Sequence, residues 1–230
     1  MAKNYLIIGA GSGIGKAIMN ELYHSENQLY VTSRSSDKIE QKENIHFQEI
    51  DVTQEFELEF PEQLDGLVYC PGTINLKPFH RLSEEDFLTD FKINHLGAVK
   101  VIQQALKALK KSEQASIVLF STVAVQTGLS FHASVASAKG AIEGLSRSLA
   151  AELAPKIRVN AIAPSLTDTP LASNLLSTEQ KKTANAERHP LKKLGTPKDI
   201  AKAAVYLLSD DSAWVSGQVL TIDGGIGSLR

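Results

Sequence analysis

Four glycines fall within seven residues near the start of this chain, in Gly9-Ala10-Gly11-Ser12-Gly13-Ile14-Gly15. An apolar run, Tyr5-Leu6-Ile7-Ile8, precedes them, and an amphipathic stretch from Ile14 to Tyr23 follows. The order reads strand, tight turn, helix. Glycine lets the backbone turn sharply and come close to a ligand, and the first turn of a helix offers free N–H groups at the positive end of its dipole. Such a turn suits a pyrophosphate. The spacing is not G-x-G-x-x-G, because Ile14 and Lys16 stand where a third glycine would be needed; it is G-x-x-x-G-x-G through Gly9, Gly13 and Gly15.

The same alternation continues along the chain. Further β runs are expected at Leu29–Thr32, Ile45–Ile50, Leu64–Tyr69, Ser116–Phe120, Arg158–Ile162 and Gln218–Ile222. Helices are expected at about Ala133–Leu153 and Lys198–Leu208, with one long helical stretch from about Glu84 to Lys111. Apolar strands alternating with helices predict an α/β fold: one doubly wound Rossmann-type domain over residues 1–230, its parallel sheet covered on both faces. With 230 residues, 43% of them hydrophobic, the chain suits one full-sized core. The span from Ser165 to Thr196 breaks the pattern. It is rich in Ser, Thr, Asn and Lys, with Leu166, Leu171, Leu175 and Leu176 interspersed. It reads as a substrate lid with one or two short helices, or as a plain surface excursion.

A net charge of −2 gives no field that would draw nucleic acid or an anionic membrane, and no apolar run approaches a membrane span. A single cysteine, Cys70, and the absence of signal-peptide character at Met1-Ala2-Lys3-Asn4 predict a cytoplasmic protein. No metal site is expected. Cofactor choice is read at the end of the second strand, where NAD sites usually place a carboxylate. Here the residues are Ser33-Arg34-Ser35. A guanidinium flanked by hydroxyls suits a 2′-phosphate, so NADP(H) is favoured over NAD(H). Asp51 and Val52 are expected near the adenine.

With this turn, Asn94 in Asn94-His95-Leu96-Gly97, Lys139 in Ser137-Ala138-Lys139-Gly140, Arg158-Val159-Asn160-Ala161-Ile162-Ala163-Pro164 and the ending Ser216 to Gly225, the chain resembles the short-chain dehydrogenase/reductase family over nearly its whole length. The resemblance implies a seven-stranded parallel sheet, an oxidoreductase acting on a small carbonyl or alcohol, and a homotetramer or homodimer. It implies a dinucleotide held by Gly9, Gly11, Ser12, Gly13, Ile14, Gly15, Ser33, Arg34, Ser35, Asp51, Val52, Cys70, Pro71, Gly72, Asn94, Lys139, Pro164, Ser165, Thr167 and Thr169. In that family a Tyr handles the substrate proton, a Lys four residues later binds the nicotinamide ribose, a Ser holds the carbonyl oxygen, and an Asn supports a water chain. Asn94 and Lys139 match. Thr122 takes the Ser position, with Ser121 beside it, and the Tyr position holds Val135.

Valine has no proton to give. His132, two helical turns before Lys139, is the better candidate substitute, although about 10 Å of helix rise separates the two and a histidine at a helix start also reads as a cap or surface residue; a bound water fed through Asn94 and Lys139 is the alternative. Two functions follow as expectations. One is an NADP(H)-dependent oxidoreductase with a relocated proton donor, using Asn94, Thr122, Ser121, Lys139 and His132. The other is a non-catalytic NADP(H)-binding regulator or sensor.

Overall fold

The computed structural model describes residues 2–23, 26–37, 39–40 and 42–229. Seven parallel strands form one sheet: β1 (Asn4–Ile8), β2 (Gln28–Ser33), β3 (Ile45–Glu49), β4 (Gly66–Tyr69), β5 (Ala115–Phe120), β6 (Ile157–Pro164) and β7 (Val219–Ile222), in spatial order β3-β2-β1-β4-β5-β6-β7. The order reverses between β1 and β4. That leaves a crevice at their carboxyl ends, where open α/β sheets bind ligands.

Alternation along the strands builds a core on each face. Leu6 and Ile8 of β1 point to one side, where Leu67, Ile117 and Val159 join them under two helical layers. One layer is α3 (Gly97–Leu109), which buries Val101, Ile102 and Ala105; the other is α5 (Ala133–Leu153), which buries Ile142 and Leu153. Tyr5 and Ile7 point to the other side, against Ile18 and Met19 of α1 (Gly13–Leu22) and Ile200, Ala204 and Leu207 of α7 (Pro197–Leu208). Each fully buried Leu or Ile contributes roughly 1.5–3 kcal/mol, so the two faces together fix the strand order.

The long helical stretch expected from Glu84 to Lys111 is one continuous run, but it is not one regular helix. It begins as α2 (Glu84–Phe91), capped by a reciprocal Ser83–Asp86 box, and passes through a π-helical turn at Lys92–Leu96 into α3. In that turn the Gly97 N–H bonds back to Lys92 O, five residues earlier. The Gly97 donor is thereby withheld from Ile93 O, which accepts the Tyr69 hydroxyl at 2.6 Å. Any side chain on Gly97 would collide with that hydroxyl. Single π turns occur mostly at functional sites, and this one carries Asn94.

Two shorter helices remain. α4 (Ala124–Thr127) follows β5, and α6 (Glu179–Glu187) lies inside the 165–196 excursion. The excursion is pinned at both ends: Gly195 N–H donates to Leu166 O and Asp168 N–H donates to Gly195 O. Among the described residues no helix is long and apolar enough to cross a membrane, and no group of three or more His, Cys, Asp or Glu could hold a metal ion.

Candidate active site

The turn after β1 is folded as its glycines require. Gly9 and Gly13 have φ of +83° and +53°, where a side chain is strained. The N–H groups of Gly9 and Ala10 both bond to Thr32 O, tying the turn to β2. A Cβ at Gly15 would collide with the Gly9 carbonyl, and one at Gly11 would come within 2.6 Å of Ser33 Oγ. The turn and its surroundings enclose a cleft of about 340 Å³. Its walls include Gly9, Gly11, Ser12, Gly13, Ile14 and Gly15, then Ser33, Arg34 and Ser35 from the end of β2. Asp51 and Val52 follow β3, Cys70, Pro71 and Gly72 follow β4, and Thr169 comes from the 165–196 excursion. Arg34 is exposed, so its guanidinium is available to an incoming anion. The Asp51 carboxyl sits below its ordinary range because the Thr53 N–H and hydroxyl both donate to it, at 2.9 and 2.7 Å.

Ile14, Cys70, Gly72, Thr169 and Leu171 are shared with a second cavity of about 290 Å³. This cavity collects residues from distant places in the chain. Ser121 and Thr122 follow β5, His132, Val135 and Lys139 belong to α5 and its N-cap, Pro164 ends β6 with Ser165 and Thr167 just beyond it, and His189 follows α6. Val135 and Lys139 are four residues apart and share one helix face. Lys139 is buried, which brings its ammonium down to about 8; the same burial pushes the Cys70 thiol up to about 12.

The structure treats the expected groups differently. The Thr122 oxygen accepts the Ala124 N–H at 3.3 Å, leaving its own proton free. Ser121 is turned inward, and its hydroxyl donates to Glu143 Oε1 at 2.7 Å. His132 is the N-cap residue of α5 but makes no capping bond; its Nδ1 lies 2.8 Å from Ser130 O and donates to it. Asn94 lines neither cavity. Fully buried behind Gly72, it donates to Thr73 Oγ1 at 2.7 Å and to Asp90 O at 2.8 Å. Its Oδ1 has no partner among the described residues and lies 3.2 Å from where a Gly72 Cβ would sit; Lys139 Nζ is 3.4 Å from that same point. Both atoms pack against Gly72, where a side chain would crowd them.

Three groups at this site escape sequence reading. Thr73 and Asp90 are linked by a 2.6 Å bond and fix Asn94 from behind. His189 is the third. It lies in an aperiodic segment, where no spacing singles it out.

A family model described as enoyl-(acyl carrier protein) reductase matches residues 9–227. The chain belongs to the short-chain dehydrogenase/reductase family. It is 31% identical to a tropinone reductase homologue of Arabidopsis thaliana, over 97% of this chain and 92% of that protein. It is 30% identical to L-xylulose reductase of Bos taurus, over 96% and 94%. Among solved structures, aldohexose dehydrogenase of Thermoplasma acidophilum superposes with a TM-score of 0.89 at 25% identity, covering 100% of this chain and 95% of that one. A variant of ElxO with NADPH bound superposes at 0.87 with 30% identity, over 98% and 99%. A family dinucleotide fits the first cleft on this chain's own geometry: the turn excludes side chains where a pyrophosphate would approach, and Gly72, which a Cβ would crowd against Asn94 and Lys139, lies on the shared wall.

Proposed function

We propose that this chain is an NADP(H)-dependent oxidoreductase acting on a small carbonyl or alcohol, with a non-standard proton-transfer centre. The observation that carries the reading is the shared wall. A cleft suited to a dinucleotide opens onto a partly apolar cavity, and Lys139 stands in that cavity. When bound, the dinucleotide supplies or takes up a hydride at the junction of the two. The backbone N–H groups at the start of α1 hold the pyrophosphate, and Arg34 with Ser33 and Ser35 holds a 2′-phosphate by charge-assisted bonds. Lys139 binds the nicotinamide ribose, with Asn94 packed behind Gly72 beside it. Pro164 and Thr169 position the nicotinamide ring. The free proton of Thr122 donates to the substrate oxygen.

Val135 occupies the place that the family resemblance gives to a tyrosine, so the substrate proton must come from elsewhere. Tyr69 is not that source. Burial raises its phenol far above the ordinary range, and its proton is held by Ile93 O. Loss of one general acid costs roughly 10²–10⁴-fold. Val135 also favours a second reading, an NADP(H)-binding sensor without turnover. Titration with NADPH and NADH, followed by a carbonyl and alcohol panel monitored by cofactor absorbance, separates the two. Tighter NADPH binding with turnover supports the oxidoreductase. Binding without turnover on any substrate supports the sensor, and failure to bind either nucleotide removes both. A homotetramer or homodimer is proposed on the same family ground; the half-exposed Phe91 and Leu96 offer an apolar surface for it, and sedimentation velocity tests it.

A further inference from the structure

The second cavity holds a serine–histidine pair; the family resemblance counts Ser165 only among the dinucleotide contacts and gives His189 no part. Ser165 stands just beyond β6, and His189 lies two residues past α6. Ser165 Oγ and His189 Nε2 are 2.8 Å apart, and His189 Nδ1 is 2.9 Å from the backbone oxygen of Asn185. A carbonyl oxygen only accepts, so Nδ1 carries a proton. In the neutral ring Nε2 is then bare and accepts the Ser165 hydroxyl. His189 is 3% exposed and packs beside Gly224, where an added Cβ would lie 3.4 Å from its Cβ and Cδ2. Hydroxyl, base and orienting acceptor are thus aligned in the cavity that also holds Thr122, Val135 and Lys139.

We propose that Ser165 and His189 are the acid–base pair of this site, moving the proton for which Val135 has no group; this rests on the oxidoreductase reading above. In alcohol oxidation Ser165 Oγ takes the substrate hydroxyl proton as its own proton passes to His189 Nε2. The C–H bond breaks, its electron pair leaving with the hydride for the oxidised dinucleotide, and the carbon–oxygen double bond forms. His189 ends as an imidazolium whose Nδ1–H still donates to Asn185 O. Carbonyl reduction runs the same transfers backwards: His189 returns a proton to Ser165 as Ser165 protonates the substrate oxygen. Ser165 is the catalytic residue, and His189 acts through it.

His132 is less suited. Its Nδ1 is tied to Ser130 O, but among the described residues no hydroxyl is bonded to its Nε2. A nucleophilic role for Ser165 is also disfavoured, because its own N–H donates to Ile222 O and is not free to hold an oxyanion. The ionisable groups around the imidazole are Arg188 on its own turn, Asp223 beside Gly224, and Lys139, Cys70 and His132 on the other walls of the cavity. Both carboxylate oxygens of Asp223 accept backbone N–H groups, from Gly225 and Gly227.

The test uses the whole protein with NADPH and the best substrate of the panel. Ser165→Ala is expected to lose roughly 10²–10⁴-fold in kcat, and Ser165→Thr to recover most of the loss. His189→Gln is expected to flatten the acid limb of the alcohol-oxidation pH profile, which a merely structural role would not do. Nitrogen-15 NMR of the histidines gives a readout independent of turnover. The His189 ring in neutral form should carry its proton on Nδ1, and its Nε2 resonance should shift in Ser165→Ala. An Nε2–H tautomer overturns the proposal. So does an active wild type whose Ser165→Ala and His189→Gln variants stay within about threefold of it; in that case the oxidoreductase reading stands and only the pair falls. A wild type that binds NADPH and turns over nothing removes the oxidoreductase reading and the pair with it.

Discussion

The two halves of the site are built from different materials. The dinucleotide cleft is largely backbone: a glycine turn, a helix start and strand ends contributed mainly by the first 72 residues. The adjoining cavity is made of side chains drawn from β5, α5, β6 and the segment after α6. Backbone geometry tolerates almost no substitution at its tight points. Side-chain geometry lets a reacting group be exchanged while the walls remain. A chain can therefore keep the cofactor half intact and still rearrange its proton chemistry.

The sharpest way to break that contrast is at Lys139, which lines the second cavity and, in the proposed function, also holds the nicotinamide ribose. Lys139→Met should reduce turnover by at least about 100-fold and yet stabilise the fold. Burial lowers the lysine from its ordinary 10.5 to about 8. Between those values the unfolded chain binds the extra proton, so wild-type stability rises with pH across that window, and below pH 8 the penalty is constant. Denaturant midpoints should favour the methionine variant by about 3 kcal/mol at pH 7, with the difference closing by pH 10.5. No change in the difference with pH would show that the ammonium is not desolvated.

On the backbone side, Gly15→Ala forces a methyl into the Gly9 carbonyl. The turn relieves the clash only by shifting, at a cost near 3 kcal/mol in stability, and its displaced N–H groups should bind NADPH more weakly, measurable by calorimetry. Wild-type affinity would mean that the turn is softer than its geometry. Arg34→Asp sharpens the comparison from the cleft's cationic side chain. A charge-assisted bond of about 2 kcal/mol predicts roughly 30-fold weaker NADPH binding with NADH affinity little changed. Equal losses for both nucleotides would remove the 2′-phosphate contact. The smallest effect is expected remote from the site. Ser83→Ala removes the capping box of α2 and should lower stability by about 1 kcal/mol without altering cofactor affinity.

The sequence was most readable where function is carried by backbone. Glycine spacing and strand alternation led to the turn, the seven strands and the cleft, because these leave periodic or compositional traces. Three features left none. The π turn is a shift of one hydrogen bond within an otherwise helical pattern, so the run from Glu84 onward reads as uniform. The inward turn of Ser121 depends on Glu143, which sits on another element. His189 reaches Ser165 only after the chain has passed through a short helix. Such pairings are set by tertiary packing and have no local signature.

The π turn also fixes a phase. Each residue of a helix rotates the next by about 100°, so the extra residue between α2 and α3 works like an added tooth on a gear. Remove it, and a regular helix could form with all its bonds. The α2 side would then be turned by that angle relative to α3. Asp90, Thr73 and Asn94 could no longer meet while Val101 and Ala105 kept their places on the sheet. The irregularity lets one helical run hold two separate alignments, one against the sheet and one behind the site.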